Sequence, residues 1–330
     1  MTKPRIGLLN KRRGNFAIQA KFAGADSVVD ETDAEVTHHE HALIEAGYEV
    51  TQIRWSPTFI RDLIDARVDL VFNASSLAEA AILEDLEIPF VGSDSIGIVI
   101  ATDKSLAKKL WQRQGLPTSP FVVATTEQDC KRFQKSDPPM TYPLFIKPVA
   151  GRGSAGINEA SVVHDYEQLV AGVKERLDKI GQPVLIERFL HGREVTLGVI
   201  GNGDQTRVLP PLEITYKEGD VTLTFEKKEL DDDAFLCPAP LTETQRTMMQ
   251  QVALRAYRVL GLKDFARIDT ILTDRGPMLL EANSFAGLMC TPPEKPHSYI
   301  GFMARAEDKG GKELLDEIIC AAVERLGLTV

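Results

Sequence analysis

The order of apolar runs predicts an α/β unit built on a parallel sheet, followed by a larger α+β portion. Three observations carry that expectation. Over residues 1–100, short apolar strands alternate with helical stretches, the pattern of a parallel sheet with helices on both faces. From residue 103 onward, strands and helices follow one another irregularly, as in α+β units. Residues 265–283 read as two apolar runs joined by Asp274-Arg275-Gly276, a β-hairpin signal.

Each element follows from local pattern. Residues 5–9 form an apolar strand closed by Asn10-Lys11-Arg12-Arg13-Gly14. A helix at 35–46 ends on Gly47, where a C-terminal glycine belongs. A strand at 48–55, a helix at 59–66, a strand at 68–73 and a helix at 77–86 follow, and Pro89-Phe90-Val91-Gly92 closes the region. Next come an amphipathic helix at 104–115, a strand at 121–125 and an apolar strand at 143–148 that contains Lys147. The glycine-rich run Gly151-Arg152-Gly153-Ser154-Ala155-Gly156 precedes a helix at 166–179 and a strand at 184–187. A β-rich segment at 192–229 leads to the longest loop, 227–240, whose Asp231-Asp232-Asp233 reads as a solvated tip. A helix at 242–261, the hairpin and a closing helix at 312–326 complete the chain. With 330 residues there is room for two or three sizeable cores. The divisions fall at 1–102, 103–192 and 193–330.

A net charge of −10 argues against nucleic acid or an anionic membrane as the main partner. A polyanionic small molecule can still be held locally by placed lysines and a divalent metal. The four cysteines are scattered without a Cys-x-x-Cys pair, which suggests neither a zinc knuckle nor a disulfide framework. With no apolar run of membrane-spanning length and no apolar signal core, the expectation is a cytoplasmic protein.

Four features carry chemistry together. In the hairpin, Arg267 and Asp269 are two apart on one strand and Glu281 and Asn283 two apart on the other, so each pair shares a face. Two carboxylates and an amide oxygen make a hard-oxygen site suited to Mg²⁺, which completes its shell with nucleotide phosphates; a salt-bridged polar face would give the same pattern. The loop at 151–156 follows a strand, so its backbone N–H groups could cradle phosphate, although it is neither the Walker pattern nor the dinucleotide fingerprint. Lys147 lies inside an apolar strand and Lys104 opens a helix, two places where a cation is disfavoured without an anion nearby. Finally, Glu187 to Glu194 spans a tight strand crossing that can offer backbone groups to an adenine edge, with Glu194 on the ribose.

The ordered set Asp-Lys104, Ile-Lys147-Pro, the glycine-rich loop, Ile-Glu187-x-x-Leu190-x-Gly-x-Glu194, Arg267-Ile-Asp269 and Leu-Glu281-Ala-Asn283 resembles the ATP-grasp carboxylate–amine ligases. Within them it is similar to the D-alanine–D-alanine ligases, from about residue 88 to the end. The resemblance implies an ATP-grasp fold behind an N-terminal parallel-sheet, Rossmann-like domain, with ATP between the second and third domains. It implies ADP-forming amide or peptide bond synthesis through an acyl phosphate. Lys104 and Lys147 would contact ATP phosphates beneath a closing loop that includes Gly151, Gly153 and Ser154. Glu187 and Leu190 would meet adenine, Glu194 the ribose, and Lys227 would also serve the nucleotide. Asp269, Glu281 and Asn283 would bind two Mg²⁺ ions (Mn²⁺ is an alternative), with Glu281 bridging. Arg267 and the Gly287 N–H would stabilise the oxyanion, Ser298 would hold the acceptor carboxylate and Glu31 the donor ammonium. A homodimer is expected by analogy alone.

Departures from that family's pattern fall in substrate-contacting parts. Ala74-Ser75-Ser76-Leu77 stands in place of a His-Gly-x-x-Gly-Glu-Asp segment, and Gly153 replaces the first serine of a pair. Lys227-Lys228 replaces Lys-Tyr, Ala286-Gly287 replaces Pro-Gly, and residues 290–296 look inserted. Sites built on buried polar contacts discriminate strongly, so these changes point to a different acid and amine. Lys11, Arg12, Arg13 and Lys228 are candidates for an additional carboxylate or phosphate on the substrate, the alternative being a solvated basic turn. Two rivals stand beside this reading: a divergent D-alanine–D-alanine ligase of peptidoglycan synthesis, and a non-catalytic ATP-binding module. Retention of Arg267, Asp269, Glu281 and Asn283 counts against the second. His38, His39 and His41 are expected as surface residues, and Cys290 has no base nearby in sequence to make it a nucleophile.

Overall fold

The computed structural model describes residues 3–9, 27–73, 77–135, 137–151, 156–215, 234–292 and 296–328, with the side chains of 27–33 and 234 outside that description. The first unit alternates as expected: β1 (Ile6–Leu9), α1 (Ser27–Glu45), β2 (Val50–Ile53), α2 (Phe59–Asp65), β3 (Leu70–Phe72), α3 (Leu77–Asp85) and β4 (Phe90–Val91). Its strands run parallel in the order β2-β1-β3-β4. β1 and β3 are apolar throughout and buried throughout, because helices cover both faces of such a sheet. α1 presents Val36, His39 and Leu43 to it, all buried. Of the three histidines expected at the surface, His41 is exposed and His38 half-buried, whereas His39 departs from the expectation. His39 lies on the inward face of the helix, 2% exposed, with its ring 5.5 Å from that of Phe72.

Two helices meet end to end after β4: α4 (Ser95–Thr102) and α5 (Lys104–Arg113). Each begins on an aspartate cap. Asp94 accepts from the Gly97 N–H at 2.8 Å and Asp103 from the Leu106 N–H at 2.9 Å. α4 was not expected, since its run Ser-Ile-Gly-Ile-Val-Ile-Ala-Thr is rich in poor helix formers. Tertiary packing decides it. The central sheet follows, from β5 (Phe121–Ala124), β6 (Leu144–Pro148), β7 (Val162–Val163) and β8 (Val184–Arg188), with α6 (Tyr166–Ile180) on one face. Its order is β5-β8-β6-β7, antiparallel throughout.

The last sheet contains β9 (Arg193–Ile200), β10 (Arg207–Val208), β11 (Leu212–Thr215), β12 (Ala234–Leu236), β13 (Phe265–Thr273) and β14 (Gly276–Asn283). It runs β12-β11-β9-β13-β14 with β10 also on β9, again antiparallel. α7 (Glu243–Val259), α8 (Tyr299–Arg305) and α9 (Gly311–Leu326) accompany it. α5 belongs to this sheet's core. Trp111, wholly buried, packs with Tyr257 and Ile268 and donates from Nε1 to the Ala256 carbonyl at 3.3 Å. On the other side, one apolar cluster joins Ile6, Leu8 and Phe72 of the first sheet to Leu314, Ile318 and Ala322 of α9. No helix among the described residues is long and apolar enough to cross a membrane.

A single buried carboxylate ties these parts. Asp264, 0% exposed, accepts from the Gly92 N–H at 2.7 Å, from Asn202 Nδ2 at 2.8 Å, and from Arg325 Nε and Nη2 at 2.8 and 2.7 Å. Arg325 also donates to the Phe90 carbonyl at 2.9 Å. Removing one partner of such a cluster leaves a buried charge unmatched. Asp264→Ala should therefore cost on the order of 3–5 kcal/mol in urea unfolding, and Asp264→Asn less. A loss below about 1 kcal/mol for Asp264→Ala would show that the cluster does not hold the sheets together.

Candidate active site

The hairpin brings four predicted side chains into one row. β13 and β14 pair with Arg267 opposite Asn283 and Asp269 opposite Glu281, and the register then shifts so that Thr270 faces Leu279. The extra residue on β14 is Leu280, a β-bulge just beyond the polar row. Asp269 is the most heavily engaged. Arg267 donates from Nε to Oδ1 and from Nη2 to Oδ2 at 2.8 Å each. Asn283 Nδ2 donates to Oδ2 at 2.9 Å, and Thr196 Oγ1 on β9 to Oδ1 at 2.5 Å. Burial works against the Arg267 guanidinium, but Asp269 outweighs it and raises its pKa. The guanidinium also lies 4.9 Å over the Tyr299 ring.

Glu281 faces the start of α5. Lys104 Nζ lies 3.6 Å from Glu281 Oε2 and donates to the Gly151 carbonyl at 3.1 Å, while its backbone N–H reaches the Val149 carbonyl at 3.0 Å. The helix thus delivers a buried ammonium between the strand that ends at Pro148 and the hairpin. Burial lowers the Lys104 pKa against the pull of Glu281. Burial pushes the Glu281 carboxyl up, but Lys104 and Lys147 bring it below its ordinary value. A small cleft opens here, lined among others by Thr102, Lys104, Gly151, Glu281, Asn283 and Phe285.

Lys147 projects from β6 into a second ionic cluster. Its Nζ lies 2.8 Å from Glu187 Oε1 on β8, and the other oxygen, Oε2, meets Lys108 Nζ at 2.8 Å and accepts from Ser119 Oγ at 2.7 Å. Burial alone would raise the Glu187 pKa, yet Lys108 and Lys147 hold it far below the carboxylate range. Burial would lower the Lys147 pKa, and Glu187 raises it instead. Oε2 is committed to Lys108 and Ser119, while Oε1, which meets Lys147, retains a lone pair that an adenine amino group could use. Leu190 is half-buried in the crossing that follows. Gly192 there has φ +158°, and a Cβ would sit 2.4 Å from the Leu272 carbonyl oxygen, so only glycine lets this crossing lie on β13. Glu194 is half-buried on β9, and its charge contributes to the raised Lys147 pKa.

Gly287 and Ser298 also come together, since a Cβ on Gly287 would lie 3.2 Å from that of Ser298. The Ser298 hydroxyl caps α8, accepting from the Gly301 N–H and donating to the Met289 carbonyl, both at 2.9 Å. Cys290 is buried, its N–H donates to His38 Nε2 at 3.2 Å, and burial pushes its thiol up to about 12, which does not suit a nucleophile. Gly153, Ser154 and Lys227 lie outside the described residues, as do Lys11, Arg12, Arg13, Lys228 and the side chain of Glu31.

Sequence reasoning missed Lys108, which is wholly buried. The available signal was a lysine one turn after Lys104 and one turn before Trp111, on the helix face that also carries Ala107. As donors, Asp269, Glu281 and Asn283 offer oxygen only, which fits a hard divalent cation held by few protein ligands. Asp269 and Glu281 face each other across the ladder, and the charge of Asp269 raises the pKa of Glu281, a repulsion that a cation would relieve. Among the described residues no cluster of three His, Cys, Asp or Glu is set up for a metal, so the amide and the phosphates of a nucleotide would have to complete the shell.

The family model described as D-ala D-ala ligase C-terminus matches residues 110–319. The D-alanine–D-alanine ligase of Halalkalibacterium halodurans is 33% identical over 260 residues, covering 76% of this chain and 82% of that one. That of Bordetella petrii is 29% identical over 290 residues, covering 85% and 84%. Among solved structures, the Bacillus anthracis D-alanine–D-alanine ligase complexed with ATP superposes with a TM-score of 0.72 at 20% identity, covering 98% of both chains. The VanG D-Ala:D-Ser ligase of Enterococcus faecalis gives 0.71 at 20% identity, covering 97% of this chain and 99% of that one. These two show likeness of fold. The contrast between the buried Cys290 and the exposed Cys320 gives a direct check on the site's packing. At about pH 8, iodoacetamide should label Cys320 well ahead of Cys290 in the folded protein, and peptide mass mapping that finds Cys290 first would overturn the described packing.

Proposed function

The chain belongs to the D-alanine–D-alanine ligase family, ATP-dependent ATP-grasp enzymes that form a carbon–nitrogen bond and release ADP, and from that premise we propose that it joins an acid and an amine other than two D-alanines. The observation that carries the chemistry is the row Arg267, Asp269, Glu281 and Asn283 on one hairpin face, with Lys104 reaching it from α5. The sequence departures at 74–77, Gly153, Lys228, Ala286 and 290–296 carry the substrate proposal. Buried polar contacts that recognise one substrate reject others strongly.

In this reading the nucleotide lies between the central and last sheets. Lys104 and Lys147 hold its phosphates, and Glu187 and Leu190 meet the base, with Glu194 on the ribose. Lys227 and the glycine-rich loop, including Gly151, Gly153 and Ser154, cover the phosphates. Asp269, Glu281 and Asn283 would hold two Mg²⁺ ions. Bound there, Mg²⁺ would neutralise phosphate charge and align the terminal phosphoryl group. A substrate carboxylate is a poor electrophile, so it first attacks the terminal phosphate to give an acyl phosphate, a step that positioning and cationic charge accelerate. The amine then displaces phosphate through a tetrahedral oxyanion. Arg267, kept in place by its bidentate pairing with Asp269, and the Gly287 N–H are the donors assigned to that oxyanion. Ser298 lies beside Gly287 and is assigned to the acceptor carboxylate, and Glu31 to the donor ammonium. By analogy with enzymes of this kind the protein works in the cytoplasm as a homodimer.

ADP release with D-alanine alone, compared with a panel of acid–amine pairs, tests the substrate reading. The expected outcome is at least about tenfold higher kcat/KM for some other pair, and D-alanine as the best donor and acceptor would return the protein to peptidoglycan synthesis. Glu281→Ala should lower Mg²⁺-dependent turnover on the order of 10³-fold in a chain that unfolds normally. Turnover within about threefold of wild type would refute the metal assignment.

A further inference from the structure

Lys108 has no part in the chemistry above, yet its side chain is 0% exposed and lies at the meeting point of three elements. It stands four residues after Lys104 on α5, so both lysines leave the same helix face. Its ammonium donates to Thr118 Oγ1 at 2.7 Å and Ser119 Oγ at 3.0 Å, and it meets Glu187 Oε2 at 2.8 Å, with the Leu279 carbonyl at 3.4 Å. The two hydroxyls pass their own protons on. Thr118 donates to the Leu279 carbonyl at 2.7 Å and Ser119 to Glu187 Oε2 at 2.7 Å. All three ammonium donors therefore have acceptors.

A buried ion set of this kind is no better for stability than well-packed apolar side chains, so stability alone does not account for it. Its charge does more. Glu187 alone would cancel Lys147, to which it lies at 2.8 Å. With Lys108 at 2.8 Å on the opposite oxygen, two ammoniums share one carboxylate and one positive charge is left over. Leu279, on which the Lys108–Thr118 pair converges, precedes Glu281 by two residues on β14. The node thus joins the strand that carries Lys147 to the strand that carries Glu281.

We infer that Lys108 is a positioning residue for the nucleotide: by saturating Glu187 Oε2 it fixes the carboxylate that orients Lys147 and leaves the Lys147 charge uncancelled toward the cleft. The inference rests on the assignment of Lys147 to ATP phosphates, and the experiment separates the two.

Mg–ATP and adenosine are titrated into the wild type and into Lys147→Met and Lys108→Met. Lys147→Met should weaken ATP about tenfold or more, and normal binding by that variant would remove the Lys147 assignment itself. Given that loss, Lys108→Met should also weaken ATP about tenfold, with KM for ATP rising more than kcat falls. Adenosine, which lacks the phosphates, should bind Lys108→Met within about threefold of wild type, because the lost charge acts on the phosphates through Lys147. A purely structural Lys108 would weaken adenosine as much as ATP. Unchanged ATP affinity in Lys108→Met, or an equal loss of adenosine and ATP, overturns the inference. Should Lys108→Met fail to fold, Lys108→Gln replaces it, and the same comparison of ATP with adenosine decides.

Discussion

A charge taken out of water must find a counter-charge or a set of dipoles, and that constraint organises the heart of this molecule. Lys104, Lys108, Lys147, Glu187 and Asp269 are all buried, and they come from α5, β6, β8 and β13. Only β13 pairs its own ion, Asp269 with Arg267; the others look to different elements. β6 and β8 must lie side by side for Lys147 to meet Glu187, and α5 must run along their edge for Lys108 to reach the other oxygen. β14 must then approach α5 closely enough for Lys104 to reach Glu281. Ion pairing across elements thus sets how the central and last sheets face one another, and the apolar cores on either side fill in behind it.

The same arrangement gives the site its electrostatic character. Asp269 is saturated by Arg267, Asn283 and Thr196, so it works as an anchor for the guanidinium as much as a donor. Glu281 has a longer, looser contact with Lys104 and keeps capacity for another cation. Two carboxylates at facing register positions are therefore in different environments, one tightly bonded and one poised. That asymmetry suits the proposed role, in which cations would arrive with a polyphosphate.

Much of this was legible because it was local. The alternation of residues 265–273 and 276–283 about a turn put Arg267, Asp269, Glu281 and Asn283 on shared faces, and the ladder pairs them directly. The parallel first sheet was equally readable from its apolar strands. What escaped depends on distant partners. α4 forms despite poor intrinsic propensity. Lys108 could not be told from a solvated lysine until Glu187, Thr118 and Ser119 closed around it. His39 looked exposed because its neighbours in sequence are polar, whereas the helix turns it onto Phe72. The engagement of Asp264 with Gly92, Asn202 and Arg325 joins residues far apart in the chain, and no window of sequence contains it.

Such long-range contacts bear on how the protein is made. The apolar cluster under the first sheet is completed by Leu314, Ile318 and Ala322 of α9, the last helix of the chain. During synthesis the earliest strands leave the ribosome long before the residues that will cover them, and domains ordinarily fold in that N-terminal-first order. Here the first sheet keeps part of its apolar surface uncovered until the residues up to Ala322 have been made. A stop ahead of Leu314 would leave that sheet without the helix that completes its core.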